Sequence, residues 1–96
     1  MMKFIITIKY NSGDEVTVTT NPPEWIKWEK ETGHSAAEWG EKAGIWDVMF
    51  LAYHAIKREA AGRPVKPFDA WAEGVADFEL ETANPKAMSQ EASKDS

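Results

Sequence analysis

The sequence predicts an α+β fold: an N-terminal β-hairpin packed on a mainly helical domain of three to four helices, with a disordered C-terminal tail. Three observations carry this prediction. Two strand-forming runs flank a Gly-containing turn near the N-terminus, a long block from Ile45 to Ile56 has only Asp47 and His54 as strongly polar residues, and the residues after Thr82 are almost all small or polar. The expected organisation is a single globular domain over 1–82, with the hairpin at 2–20 and the helical part at 22–80, followed by the tail at 83–96.

The first run, Met2 to Tyr10, is rich in Phe, Ile and Thr, and Asn11-Ser-Gly-Asp14 separates it from Glu15-Val-Thr-Val-Thr-Thr20. Alternation places Phe4, Ile6 and Ile8 on one face, with Val16 and Val18 on one face of the partner strand. An isolated hairpin is marginal in water, so this face needs a lid. Asn21-Pro-Pro-Glu24 then has the form of a helix start, with Asn21 as N-cap, Pro22 at the first helical position and Glu24 three residues after the cap. Trp25, Ile26 and Trp28 follow on a short helix that Gly33 ends. Ser35-Ala-Ala-Glu38 repeats the capping spacing and opens a second helical region, which Gly40 and Gly44 kink or divide.

The block Ile45 to Ile56 reads as a helix that is apolar on most of its circumference and therefore buried on more than one side. Lys57 and Arg58 complement the negative pole of its dipole, and Gly62 with Pro64 stops it. Either the rest of the fold wraps this helix or a second molecule does. Trp46 and Phe50 are expected in the core with Ile6, Ile8, Val16 and Val18. Beyond Pro67, the spacing of Phe68, Trp71, Val75 and Phe78 predicts one face of a further amphipathic helix.

Composition narrows the function. A chain of 96 residues with 16 acidic and 11 basic side chains has a net charge of -5 and lacks the basic stripe that phosphate binding needs, so no nucleic-acid partner is expected. No cysteine is present, which removes disulfides, thiolate catalysis and the usual structural zinc sites. No apolar run approaches the roughly 20 residues of a membrane span. The chain is therefore expected to be soluble and intracellular, with no membrane partner. Five tryptophans in so short a chain suit both a core and interface anchors.

Candidates for chemistry are few. His34 falls at a loop or cap and reads as a solvent-exposed polar residue. His54 has Phe50, Leu51 and Lys57 as helical neighbours, none a metal ligand, so it reads as a buried, hydrogen-bonded histidine rather than half of a helical zinc pair. Asp47 is the one acid in the apolar block. A catalytic role for it competes with a capping or exposed carboxylate. Gly40 and Gly44 lack the Lys-Ser/Thr of a phosphate loop. No catalytic, cofactor-binding or metal-binding residue is assigned, and a non-catalytic protein-binding module is the expectation.

The order of parts resembles the small tail assembly chaperones of long-tailed bacteriophages. The resemblance runs from about Phe4 to Leu80: a short hairpin, a Trp-x-x-x-Glu helix matched loosely at Trp28 to Glu31, a Trp-rich long helix at Trp46 to Arg58, and a Phe-Asp-x-Trp helix at Phe68 to Trp71. It implies a non-enzymatic function, binding the tape measure protein and recruiting the tail tube protein during assembly in the host cytoplasm, then leaving the particle. It also implies a longer product made by programmed frameshift, for which Asn84-Pro85-Lys86 can be encoded by a slippery heptamer, as Asn21-Pro22 can by a related one; a homo-oligomer is expected from leftover apolar helix surface. The partner-binding surface is expected on Trp25, Trp28, Met49, Tyr53, Ile56 and Trp71, as surplus apolar helix surface.

A competing reading is a small acidic oligomeric adaptor or inhibitor protein unrelated to tail assembly, which would align its carboxylates on one surface. The acids here are instead interleaved with Lys27, Lys30, Lys42 and Lys57. An enzyme would require a pocket collecting Asp47, His54 and a further polar group.

Overall fold

The computed structural model describes residues 3–82. The expected tail at 83–96 and the frameshift position at Asn84-Pro85-Lys86 lie outside the described residues. Strands β1 (Phe4–Tyr10) and β2 (Glu15–Thr19) form the expected antiparallel hairpin, with Ile6 opposite Val18 and Ile8 opposite Val16. At the turn, Tyr10 N donates to Asp14 O at 2.9 Å and Gly13 takes a φ of 97°, open to glycine without steric cost.

Helix α1 (Pro22–Thr32) starts as its sequence dictates. Asn21 N donates to Glu24 Oε2 at 2.7 Å, and Gly33 closes the helix at φ 78°. The second helical region is divided at Gly44: a 3-10 turn, Ala36–Glu38, runs into the short helix α2 (Trp39–Lys42), and α3 (Ile45–Ala60) begins after the extended Gly44. Ser35 N donates to Glu38 Oε1 at 3.0 Å, the capping contact expected from the spacing.

Helix α3 is wrapped by the protein itself. It runs against α1 on one side, β2 on another and α4 (Phe68–Glu73) on a third, burying Val48, Met49, Phe50, Leu51, Ala52, Tyr53 and Ala55. Of the two alternatives for this helix, wrapping by the rest of the fold holds over residues 48–55, and the expected surplus apolar surface on Met49 and Tyr53 is corrected. So is the placement of Trp46 in the core, since at the second helical position it lies one turn short of the packed layer and is 45% exposed.

The largest departure lies after α4. Val75 and Phe78 do not continue the helix; Val75–Thr82 forms strand β3, paired antiparallel with β1 to give the order β2-β1-β3. Gly74 stops the helix. From there Phe78 and Leu80 alternate with Asp77, Glu79 and Glu81, a period of two that suits a strand. Val75 and Phe78 matched helical spacing by coincidence, and the second edge of β1 supplied the ladder that settled the competition. Asn11 N donates to Gly74 O at 2.8 Å and its side chain to Glu73 O at 3.2 Å, fixing the hairpin turn to the α4–β3 junction.

The sheet has two distinct faces. Rows Val18–Ile6–Leu80 and Val16–Ile8–Phe78 face the helices, while Thr17–Thr7–Glu79 and Glu15–Lys9–Asp77 face away. At one end Phe4, Trp25, Trp28 and Trp39 form a single aromatic nest, with Trp25 and Trp39 at 5.0 Å and Trp28 and Trp39 at 5.2 Å between ring centres.

Candidate protein-interaction surface

Five of the six residues expected to bind a partner lie in the core: Trp25, Trp28, Met49, Tyr53 and Trp71 are all buried. Met49 belongs to the core cluster, and the other four make specific internal contacts. Trp25 and Trp28 build the aromatic nest, the Tyr53 hydroxyl donates to Lys66 O, and Trp71 Nε1 donates to the Tyr10 hydroxyl at 3.0 Å. Hydrophobic pattern alone could not separate core from interface, because both use large aromatic side chains. Ile56 is half-buried. It lines a groove of about 230 Å³ between the end of α3 and β2, with Val16, Val18, Glu59, Ala60 and Arg63.

The apolar surface that remains open among the described residues is elsewhere. Ile45 is 72% exposed and Trp46 45%, while Ile26 and Leu80 stand separately on α1 and β3. Ile45 and Trp46 occupy the first turn of α3, and its cap fixes their direction. Asp47 Oδ2 accepts the Gly44 N–H at 2.7 Å, and Asp47 Oδ1 accepts the indole N–H of Trp28 at 2.8 Å. The carboxylate thus closes the helix start and holds it to α1, in agreement with the capping reading of Asp47. The Trp46 ring packs on Phe50 at 5.0 Å and meets Phe68 edge-on at 6.2 Å, so its orientation is supported by two rings while its outer face stays open. A signal for this position exists in the sequence: apolar residues directly after an N-cap glycine precede the point where neighbouring helices close over the stripe.

The histidines are accounted for in part. His54 packs against Phe50 with ring centres 4.4 Å apart and planes tilted by 54°, and is half-buried, with a buried Nδ1 that has no hydrogen-bond partner among the described residues. The expected hydrogen bond is therefore not formed there. Burial, with Lys27 and Lys57 nearby, holds the imidazole below its ordinary pKa. His34 is half-buried beside Trp28, with Nδ1 3.9 Å from Glu38. Among the described residues no group of three or more His, Cys, Asp or Glu is arranged to hold a metal ion, and no helix is long and apolar enough to cross a membrane.

No protein-family model, curated protein or solved structure matches this chain.

Proposed function

We propose that this protein is a non-catalytic tail assembly chaperone of the long-tailed bacteriophage type, binding the tape measure protein and recruiting tail tube subunits in the host cytoplasm. The observation that carries the reading is the Ile45–Trp46 ridge. In a domain that buries its other four tryptophans, one indole stands half-exposed at a helix start, held in place by Phe50 and Phe68. A preoriented, partly dry Trp is the kind of side chain that dominates binding energy in protein interfaces. A tape measure chain outside the tail tube presents long apolar helical segments, and the ridge offers them an anchor at low ordering cost.

The test is capture of tape measure segments by the purified protein, compared with an Ile45→Lys/Trp46→Glu double variant. Neither residue contributes much to the core, so the variant is expected to fold and to lose capture. A folded variant that captures as the parent does would remove the ridge from the site. A parent that captures no tape measure segment would remove the reading itself. The reading also requires a very long helical reading frame directly downstream in the genome.

A further inference from the structure

Strand β3 is an edge strand, and among the described residues nothing pairs its outer side. The direction of its free backbone groups follows from the ladder. Thr20 N donates to Phe4 O at 2.9 Å, so Phe4 and, by alternation, Ile6 and Ile8 turn their backbone groups towards β2. Ile5, Thr7 and Lys9 then bond to β3 through Glu81, Glu79 and Asp77, which are their register partners. The peptide groups of Phe78, Leu80 and Thr82 are left pointing outwards. The Asp77 carboxylate accepts the Phe78 N–H at 2.8 Å, as a side chain can only when that N–H is not in the ladder.

The side chains along this edge are sorted by face. Phe78 and Leu80 continue the apolar rows of β1 and β2 past the helical layer, which leaves Phe78 half-buried and Leu80 40% exposed. Asp77, Glu79 and Glu81 form a column on the opposite face. Lys9 bonds to Glu79 at 2.9 Å, a base that answers this column across the sheet.

We propose that the outer edge of β3 is a strand-addition site for an extended peptide in which basic and apolar residues alternate. Main-chain bonds to the Phe78 carbonyl and to the peptide groups of Leu80 and Thr82 supply the pairing, apolar side chains extend the Phe78–Leu80 row, and basic side chains lie opposite the acidic column. The Lys9–Glu79 pair is the same contact made from the other side. A second copy of this strand is the wrong occupant, because antiparallel pairing of the outer edge of β3 with itself sets two acidic columns side by side on one face, and parallel pairing sets each acidic column beside the Phe78–Leu80 row of the other copy. The net charge of -5 also steers a basic segment towards the protein and repels an acidic one.

The test uses the full chain and a fluorescein-labelled synthetic peptide alternating Lys and Val, with an otherwise identical Glu–Val peptide as its mirror, both read by anisotropy. The Lys–Val peptide is expected to bind and the Glu–Val peptide not. Leu80→Pro, which removes an outward N–H at an edge position that tolerates proline, is expected to weaken binding about tenfold or more. The Asp77→Lys/Glu81→Lys variant is expected to lose the Lys–Val peptide and gain the Glu–Val peptide. If circular dichroism shows that Leu80→Pro does not fold, the exchange of peptide preference decides. The proposal is overturned if the full chain binds neither peptide, if folded Leu80→Pro binds as the parent does, if charge reversal leaves the preference unchanged, or if the parent is a dimer that Leu80→Pro dissociates.

Discussion

Glu24 and Arg58, 34 residues apart, form a two-pronged ion pair that fastens the start of α1 to the end of α3, with Arg58 Nε 2.8 Å from Glu24 Oε1 and one terminal nitrogen 3.2 Å from Oε2. The same guanidinium donates to Thr19 O at 3.0 Å, so β2 is held in the same contact. Glu24 is buried, and its Oε2 also accepts the Asn21 N–H. One side chain that the sequence marks as a helix cap is therefore also the buried half of the contact that joins three elements.

Removing Arg58 strands a buried carboxylate, whereas removing both charges does not. Arg58→Met is expected to cost about 3 kcal/mol, the low end for a broken buried pair because the arginine is partly open to water. Glu24→Gln/Arg58→Met should cost less than the sum of the single changes. Urea unfolding of the four proteins checks this, and simple additivity would show that the two side chains act independently.

The tryptophans divide in the same kind of experiment. Trp28→Ala empties the aromatic nest and leaves Asp47 Oδ1 without its indole donor, an expected loss of about 3–5 kcal/mol. Trp46→Ala removes a half-exposed ring and is expected to cost about 1 kcal/mol, within the range of surface changes that lose some packing. Trp46 is also the tryptophan that acrylamide should reach, so Trp46→Phe is expected to abolish most of the quenchable emission. Strong residual quenching in that variant would place another indole at the surface.

Much of this fold is legible from local chemistry. The hairpin face, the Asn21–Glu24 and Ser35–Glu38 caps and the Gly33 stop all depend on residues a few positions apart, whereas α3 ends one residue before the expected Gly62, at Ala61 with a left-handed φ of 53°. What the sequence hides depends on partners far away in it. Whether Val75–Thr82 becomes helix or strand turns on the open edge of β1, about seventy positions earlier in the chain. The surface was hidden for a related reason. A Trp on an apolar helix has the same pattern whether it is buried, as Trp25 and Trp28 are, or open, as Trp46 is, and the difference lies in where α1, α4 and the sheet stop covering α3.

His54 gives the fold a pH dependence with a definite sign. Its folded-state pKa lies below the ordinary 6.5, chiefly through burial and then through Lys27 and Lys57, so the folded protein favours the neutral ring. In the window between that lowered value and 6.5 the unfolded chain binds more protons, and stability falls as pH falls. Above 6.5 the contribution is fully present. His54→Phe is expected to flatten the stability curve through this window and to leave the loss at lower pH, where carboxylates titrate. An unchanged slope in the variant would show that another group carries it.

Asp47 separates two kinds of role by a conservative substitution. Its Oδ2 accepts the Gly44 N–H at the start of α3, and its Oδ1 accepts the Trp28 indole N–H that ties α3 to α1. Asn can keep only one of these acceptors, since its amide nitrogen donates. Asp47→Asn is therefore expected to cost about 1 kcal/mol, with Asp47→Ala costing roughly 2–3 kcal/mol because it leaves both donors without a partner. In the Ala variant the Trp28 ring should gain freedom, seen as a change in near-ultraviolet circular dichroism, and the first turn of α3 should lose hydrogen-exchange protection while the last turn keeps it. The Ile45–Trp46 ridge rides on that first turn, so partner capture is expected to weaken in the same order, Asn less than Ala. If both variants keep the parent's stability and exchange pattern while capture is lost, Asp47 contacts the partner directly and its capping bonds are incidental.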